Sequence, residues 1–110
     1  MKSQAIGSSA PSVLPTPTTI LTVDVKSWTQ LTLEVTNNDG SQTLNVLVYR
    51  RCSDAGPWSL SPFDYLQNIA PGTSACADLD VSGTTAIQLR ATASGVGLSA
   101  RLAGLLVEGA

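Results

Sequence analysis

Alternation of apolar and polar residues with a period of two dominates the chain from residue 20 onward. Leu21, Val23 and Val25 share one parity, while Ile20, Thr22, Asp24 and Lys26 take the other. Successive Cβ atoms of a strand point to opposite faces, so this pattern predicts a strand with one face turned inward. Leu31, Leu33 and Val35 repeat it against Thr32, Glu34 and Thr36. Across 42–51, Leu44, Val46 and Val48 alternate with Asn45, Leu47, Tyr49 and Arg51, so both faces carry apolar groups, as in a central strand or one covered by a neighbour. Ala75, Ala77, Leu79 and Val81 alternate with Ser74, Cys76, Asp78 and Asp80; Ile87, Leu89 and Ala91 alternate with Gln88, Arg90 and Thr92. In the last run Leu98, Ala100 and Leu102 share a parity, and Leu105 and Val107 take the other. That switch predicts a register shift at Gly104, where a bulge fits.

The runs are separated by turn chemistry. Asn37-Asn38-Asp39-Gly40 offers residues that tolerate positive φ, which tight hairpin connections require. Residues 53–57, Pro71-Gly72, Ser82-Gly83 and Ser94-Gly95-Val96-Gly97 mark further reversals. One segment departs from strand character. Ser61-Pro62 reads as a helix cap with proline at the first helical position, which predicts a short helical turn through Phe63, Asp64, Tyr65 and Leu66. There is no βαβ rhythm and no internal repeat. Short strands at regular spacing therefore predict an all-β fold, an antiparallel β-sandwich or jelly-roll-like barrel of six to eight strands. The strands contain little lysine, a common guard of exposed edges, so neighbouring subunits or partners are expected to cover the rims.

Residues 1–19 have a different character. Pro, Ser and Thr dominate, and Pro11, Pro15 and Pro17 fix their own φ and bias the preceding residues toward extended conformations. This predicts an extended N-terminal arm over 1–19 preceding a β-sandwich domain over 20–110. The arm is expected either to hang free or to order against a neighbouring surface. No apolar run of signal-peptide length follows Met1, and no later stretch approaches the roughly 20 apolar residues of a membrane span, so synthesis in the cytosol is expected, with no membrane partner.

Composition narrows the function. A chain of 110 residues fits one domain. Charged residues make up 13%, so solubility rests on hydroxyls and amides. A net charge of −2 with six cationic side chains leaves no footprint for a phosphate backbone, and nucleic acid is not an expected partner. The absence of histidine removes the commonest proton-transfer group, so no enzymatic activity is expected. Asp78 and Asp80 lie two apart on one predicted face, but a calcium site needs six or more oxygen ligands, and a solvated or arginine-paired face is the simpler reading. Arg50 and Arg51 point to opposite faces of their strand. One is positioned to pair with Asp78 or Asp80, and the other to meet a partner's carboxylate or solvent. Trp28 has the parity opposite to Leu31, Leu33 and Val35, whereas Trp58 follows a turn beside Leu60; core or interface packing is expected of both ahead of sugar stacking. Cys52 and Cys76 lack zinc-site spacing and are expected to be reduced thiols, one or both buried, with a single bridge as the alternative. The glycines lack a phosphate-loop pattern, and no cofactor, metal or small-molecule substrate is implied.

The proline-rich leader, the strand from Leu44 to Arg51 running into Asp54-Ala55-Gly56-Pro57-Trp58, the turn Ile69-Ala70-Pro71-Gly72-Thr73-Ser74, and Ile87-Gln88-Leu89-Arg90-Ala91-Thr92-Ala93-Ser94-Gly95 carry a resemblance. Together they resemble the small β-sandwich capsid decoration (cement) proteins of tailed bacteriophages. That resemblance implies a non-enzymatic virion protein, assembled as homotrimers on the capsid surface, that clamps subunits of the major capsid protein. The residues expected to touch partners are Pro11, Val13, Leu14, Pro15 and Pro17 of the arm, with Trp28, Arg50 and Arg51. The competing reading is a carbohydrate-binding or adhesive sandwich of a tail fibre or cell-surface protein, stacking sugars on Trp28, Trp58 or Tyr49.

Overall fold

The computed structural model describes residues 2–108, and side chains throughout that span except at 8–11 and 61–65. Among the described residues the chain forms eight strands: β1 (Ser3–Val13), β2 (Thr18–Asp24), β3 (Gln30–Asn37), β4 (Leu44–Arg51), β5 (Ser59–Ile69), β6 (Ser74–Asp80), β7 (Ala86–Ala93) and β8 (Leu98–Val107). Every strand pairing is antiparallel.

The pairing follows one rule. β1 pairs with β8, β2 with β7, β3 with β6 and β4 with β5, so the first half of the chain runs back along the second. The resulting ribbon folds over itself, which brings β3 to β8 and β4 to β7. Two four-stranded sheets result, ordered β1-β8-β3-β6 and β2-β7-β4-β5. This is the jelly-roll order, and the two sheets face each other as a sandwich. Only the β4–β5 connection stays within a sheet; all the others cross between the two layers.

The core is the set of inward parities. Leu31, Leu33 and Val35 from β3 and Leu44, Val46 and Val48 from β4 meet Leu79, Ile87, Leu89, Leu98, Leu102 and Leu106, all essentially inaccessible. Each such side chain contributes about 1.5–3 kcal/mol on burial.

Four expectations change. The segment read as an arm is strand for most of its length: Ser3–Val13 pairs with β8 at the edge of the first sheet, and Val13 is fully buried. The predicted helical turn is absent, because β5 runs as strand through that segment and pairs Leu66 with Val46 and Tyr65 with Leu47. No register shift occurs at Gly104: β8 keeps one parity against β1 and β3, so Leu106 is buried and Leu105 is exposed. Gly104 faces inward, where an added Cβ would lie 2.9 Å from Ile6 Cγ1 and 3.1 Å from Leu33 Cδ2. Finally, 37–40 does reverse the chain, but between sheets and without positive φ. Among described residues φ is positive only at Asn68, Gly72, Gly83 and Gly97.

The corner at 37–40 is built from side-chain hydrogen bonds instead. Asn37 is fully buried; its Nδ2 donates to the carbonyls of Gln42 (2.8 Å) and Ile69 (3.0 Å), and its Oδ1 accepts from the Asp39 N–H. Asp39 in turn accepts from the N–H groups of Ser41 and Gln42, which holds its carboxyl below the usual range.

Candidate interaction surfaces

The expected partner-binding residues fall at opposite ends of the sandwich. One end is closed by hydrogen bonds among the loops 25–29, 52–58 and 81–85: Val25 N–H to Thr85 O, Thr85 N–H to Arg51 O, and Val81 N–H to Thr29 O. Trp28, Arg50 and Arg51 lie here. The other end gathers 14–17, 38–43, 70–73 and 94–97, tied by Ala93 N–H to Leu14 O, Ser94 N–H to Thr43 O and Gly72 N–H to Asn37 O. Leu14, Pro15 and Pro17 are exposed at this end, near the exposed Val96. Val13 belongs to the core and offers nothing to a partner, since the register shift between Ala10 and Val13 turns it inward opposite Leu98. The Pro11 side chain lies outside the described set.

Arg50 has the inward parity of Val46 and Val48 at the very end of β4, and it closes the sandwich there. Its Nη1 donates to the Asp80 carbonyl at 2.8 Å and to Thr84 Oγ1 at 3.2 Å. Partial burial lowers the guanidinium pKa, which the neighbouring Asp80 carboxylate opposes. The expected link between an arginine and Asp80 is thus made largely through the aspartate's main chain. Asp80 Oδ1 instead accepts from the Ser82 N–H, and that bond depresses its pKa. Asp78 accepts from Thr32 Oγ1 at 2.8 Å.

Arg51, on the outward parity, lies over Trp58 with its guanidinium carbon 4.7 Å from the ring centroid. Its Nε is buried and has no hydrogen-bond partner among the described residues. Nearby, Lys26 donates to Asp54 at 3.1 Å, which raises its pKa, but both side chains are exposed and such a pair adds little stability. Trp28 is half-buried, packs against the core margin, and lines an open groove with Gln4, Thr22, Asp24, Lys26 and Leu106 between the edge strands β1 and β2.

The outer face of the β2-β7-β4-β5 sheet holds a second stacked pair that the sequence did not single out. Arg90 lies 3.9 Å from the Tyr49 ring centroid, and its Nε donates to Gln88 Oε1 at 2.6 Å. Gln88 Nε2 reaches Thr22 Oγ1 at 3.4 Å, so the arginine is fixed from below and from the side. Leu60, opposite Tyr49 in the β4–β5 register, is 51% exposed. The outward parities of Tyr49 and Arg90 were readable, but their meeting depends on β4 lying beside β7, a long-range pairing with no local signal. Cys52 and Cys76 are both free and both exposed, contrary to the expected burial, since one sits in a surface loop and the other on the outer parity of an edge strand. Among the described residues no group of three or more acidic or cysteine side chains could hold a metal ion.

No family model matches the chain, and no curated protein matches it. Solved structures do. The SPBc2 prophage-derived protein YomS superposes with a TM-score of 0.62 at 15% identity, covering 96% of this chain and 95% of that one. A subunit of the disulfide-linked pili formed by Bacillus endospore appendages gives 0.57 at 7% identity, over 98% and 88% of the two chains. The infectious bursal disease virus VP2 subviral particle gives 0.57 at 12% identity; there this chain is matched over 98% of its length and spans 33% of the viral one. At these identities the likeness is one of fold.

Proposed function

We propose that this chain is a non-enzymatic structural protein of a virus particle, a capsid decoration protein that binds the outer surface of a phage capsid as a trimer and stabilises it. The observation that carries this reading is the pair of arginine–ring stacks, Arg90 on Tyr49 and Arg51 on Trp58, beside the exposed Leu60. Tyrosine, tryptophan and arginine are the residue types that most often anchor protein interfaces, and here stacking orders them before any partner arrives. Two of the fold neighbours, a pilus and a viral particle, are assemblies, and a third comes from a prophage, which supports this reading. On this reading the face meets the major capsid protein, and the exposed tip of Leu14, Pro15 and Pro17 makes a second contact. A ligand that binds only the intact shell stabilises it by mass action, and three linked copies add avidity. The protein would be made in the host cytoplasm and end on the capsid surface.

The test is addition of purified protein to preformed shells. Saturable binding with a raised shell melting temperature is expected, weakened by Leu60→Asp; no binding by the wild type would overturn the proposal. Arg51 over Trp58 and Arg90 over Tyr49 occupy ring faces that a sugar would need, which sets the carbohydrate-binding reading second. Trp28 in its groove remains open to that chemistry. Reproducible binding on a glycan array, lost in Trp28→Ala, would put the carbohydrate reading first.

A further inference from the structure

The four sheet edges are unequally guarded. β2 carries a register shift between Thr19 and Leu21, and β5 carries two shifts and Pro62. β1 shifts only between Ala10 and Val13, beside Pro11, and is regular from Ser3 to Ala10. Bulges, prolines and charged side chains, lysine above all, are devices that stop a further strand from pairing. β6 has no bulge, proline or lysine: Ser74–Asp80 pairs with β3 without interruption, and its only charges, Asp78 and Asp80, lie at one end. The two regular edges, β1 and β6, bound the same sheet on opposite sides.

Their free backbone groups match. The Glu108 N–H donates to the Lys2 carbonyl, so by the alternation of an antiparallel ladder the even residues of β1 bond to β8, and Ser3, Ala5 and Gly7 turn N–H and C=O away from the sheet. The Asn37 N–H donates to the Thr73 carbonyl and the Val81 N–H to the Thr29 carbonyl, so the odd residues of β6 bond to β3. Ser74, Cys76 and Asp78 therefore turn theirs outward. In both strands these are the residues whose side chains lie on the outer face, so the pleats agree. Strand direction alternates across the sheet, which makes β6 of one copy antiparallel to β1 of a like-oriented second copy.

We propose that β6 pairs with β1 of a second copy of this chain, Asp78 opposite Ser3, Cys76 opposite Ala5 and Ser74 opposite Gly7, extending the β1-β8-β3-β6 sheet head to tail. Charge favours this pairing over β6 with itself. Asp78 and Asp80 meet an uncharged segment preceded by Lys2, whereas two β6 strands would bring four carboxylates to one seam. Small residues line both sides, Ala5 and Gly7 on the outer face of β1 and Ala75 and Ala77 on the inner face of β6. Such a contact is heterologous: it closes into a ring if the rotation between copies allows, and otherwise grows as a filament. The proposal deepens the self-association part of the function proposed above and does not depend on a capsid.

The experiment uses purified protein without shells, so its failure is distinct from failure to bind them. In a Cys52→Ser background, Ala5→Cys places a thiol opposite Cys76 of the second copy, at the roughly 5.5 Å Cα separation of a hydrogen-bonded pair, within disulfide reach. With oxidised glutathione, two thiols lose two protons and two electrons to form the bond, and two molecules of reduced glutathione are released. Chain-to-chain crosslinks that vanish on reduction and are absent when Cys76→Ser is added are expected, either stopping at a closed ring or continuing as a ladder. Crosslinking no stronger than with Thr22→Cys on the β2 edge, or persisting in Cys76→Ser, would overturn the pairing. Cys76→Pro removes an N–H that faces away from β3, so it should keep a β-type circular dichroism spectrum yet sediment as a monomer. A wild-type monomer at its highest soluble concentration, or a folded Cys76→Pro of unchanged oligomeric size, would also defeat it.

Discussion

Asn37 carries more of the fold than its place in a turn-like run suggests. It is fully buried and satisfies two carbonyls from different loops while accepting from Asp39. Asn37→Ala leaves the Gln42 and Ile69 carbonyls without that donor, and a loss of roughly 2–4 kcal/mol is expected by urea denaturation. Asn37→Asp should be worse, because it presents an acceptor to two acceptors. Gly104 works by absence: a methyl group there meets Ile6, Leu33 and, at 3.1 Å, the Thr32 carbonyl, a backbone atom that cannot swing away. Gly104→Ala should cost about 1–3 kcal/mol of overpacking, read from the denaturation midpoint at unchanged slope. Both residues were visible in the sequence only as turn or bulge formers. Their burial follows from strands far away in the chain, so nothing local could mark them as core.

The inward parities of β3, β4, β6 and β7 were legible because each strand buries one face, and that demand is written every second residue. Signals two or three residues long fared less well. Ser61-Pro62 has the chemistry of a helix start, yet the segment lies between Ser59, paired to Arg50, and Ile69, paired to Leu44, and ladder pairing overrides the local preference. At the 37–40 corner, side-chain bonding replaces positive φ, and that choice has a pH signature. The Asp39 carboxyl is held below its ordinary 3.8 by the Ser41 and Gln42 N–H groups, and Asp80 is lowered chiefly by the Ser82 N–H. A depressed folded pKa means the stabilisation is complete above the unfolded value and is lost as pH falls through the folded one. Thermal melts should therefore show a loss beginning near pH 3.8 and deepening below it. An Asp39→Asn/Asp80→Asn variant should be flatter over that interval, and an unchanged slope would remove these two groups as its source.

Strand order was the least legible property, because pairing β1 with β8 joins the two ends of the chain and leaves no local trace. The leader illustrates this. Its prolines lie at or beyond the end of the regular β1 ladder, so composition suggested a detachable arm while Ser3–Ala10 pairs residue for residue with β8. The two descriptions differ in what happens when residues 2–13 are removed. A free arm would leave the melting temperature unchanged. As β1, the segment contributes the fully buried Val13, worth about 1.5–3 kcal/mol by itself, and Ile6, which packs at the core margin. Its loss also strips the ladder from β8 and opens the flank of Leu98, Ala100 and Leu102 to water. Domains of this size are stable by only about 5–15 kcal/mol, so the truncated protein should melt far lower or lose its cooperative transition. Calorimetry of the two forms decides it, and adding the excised segment as a peptide should restore part of the transition, since the vacated edge of β8 keeps the register that β1 fills.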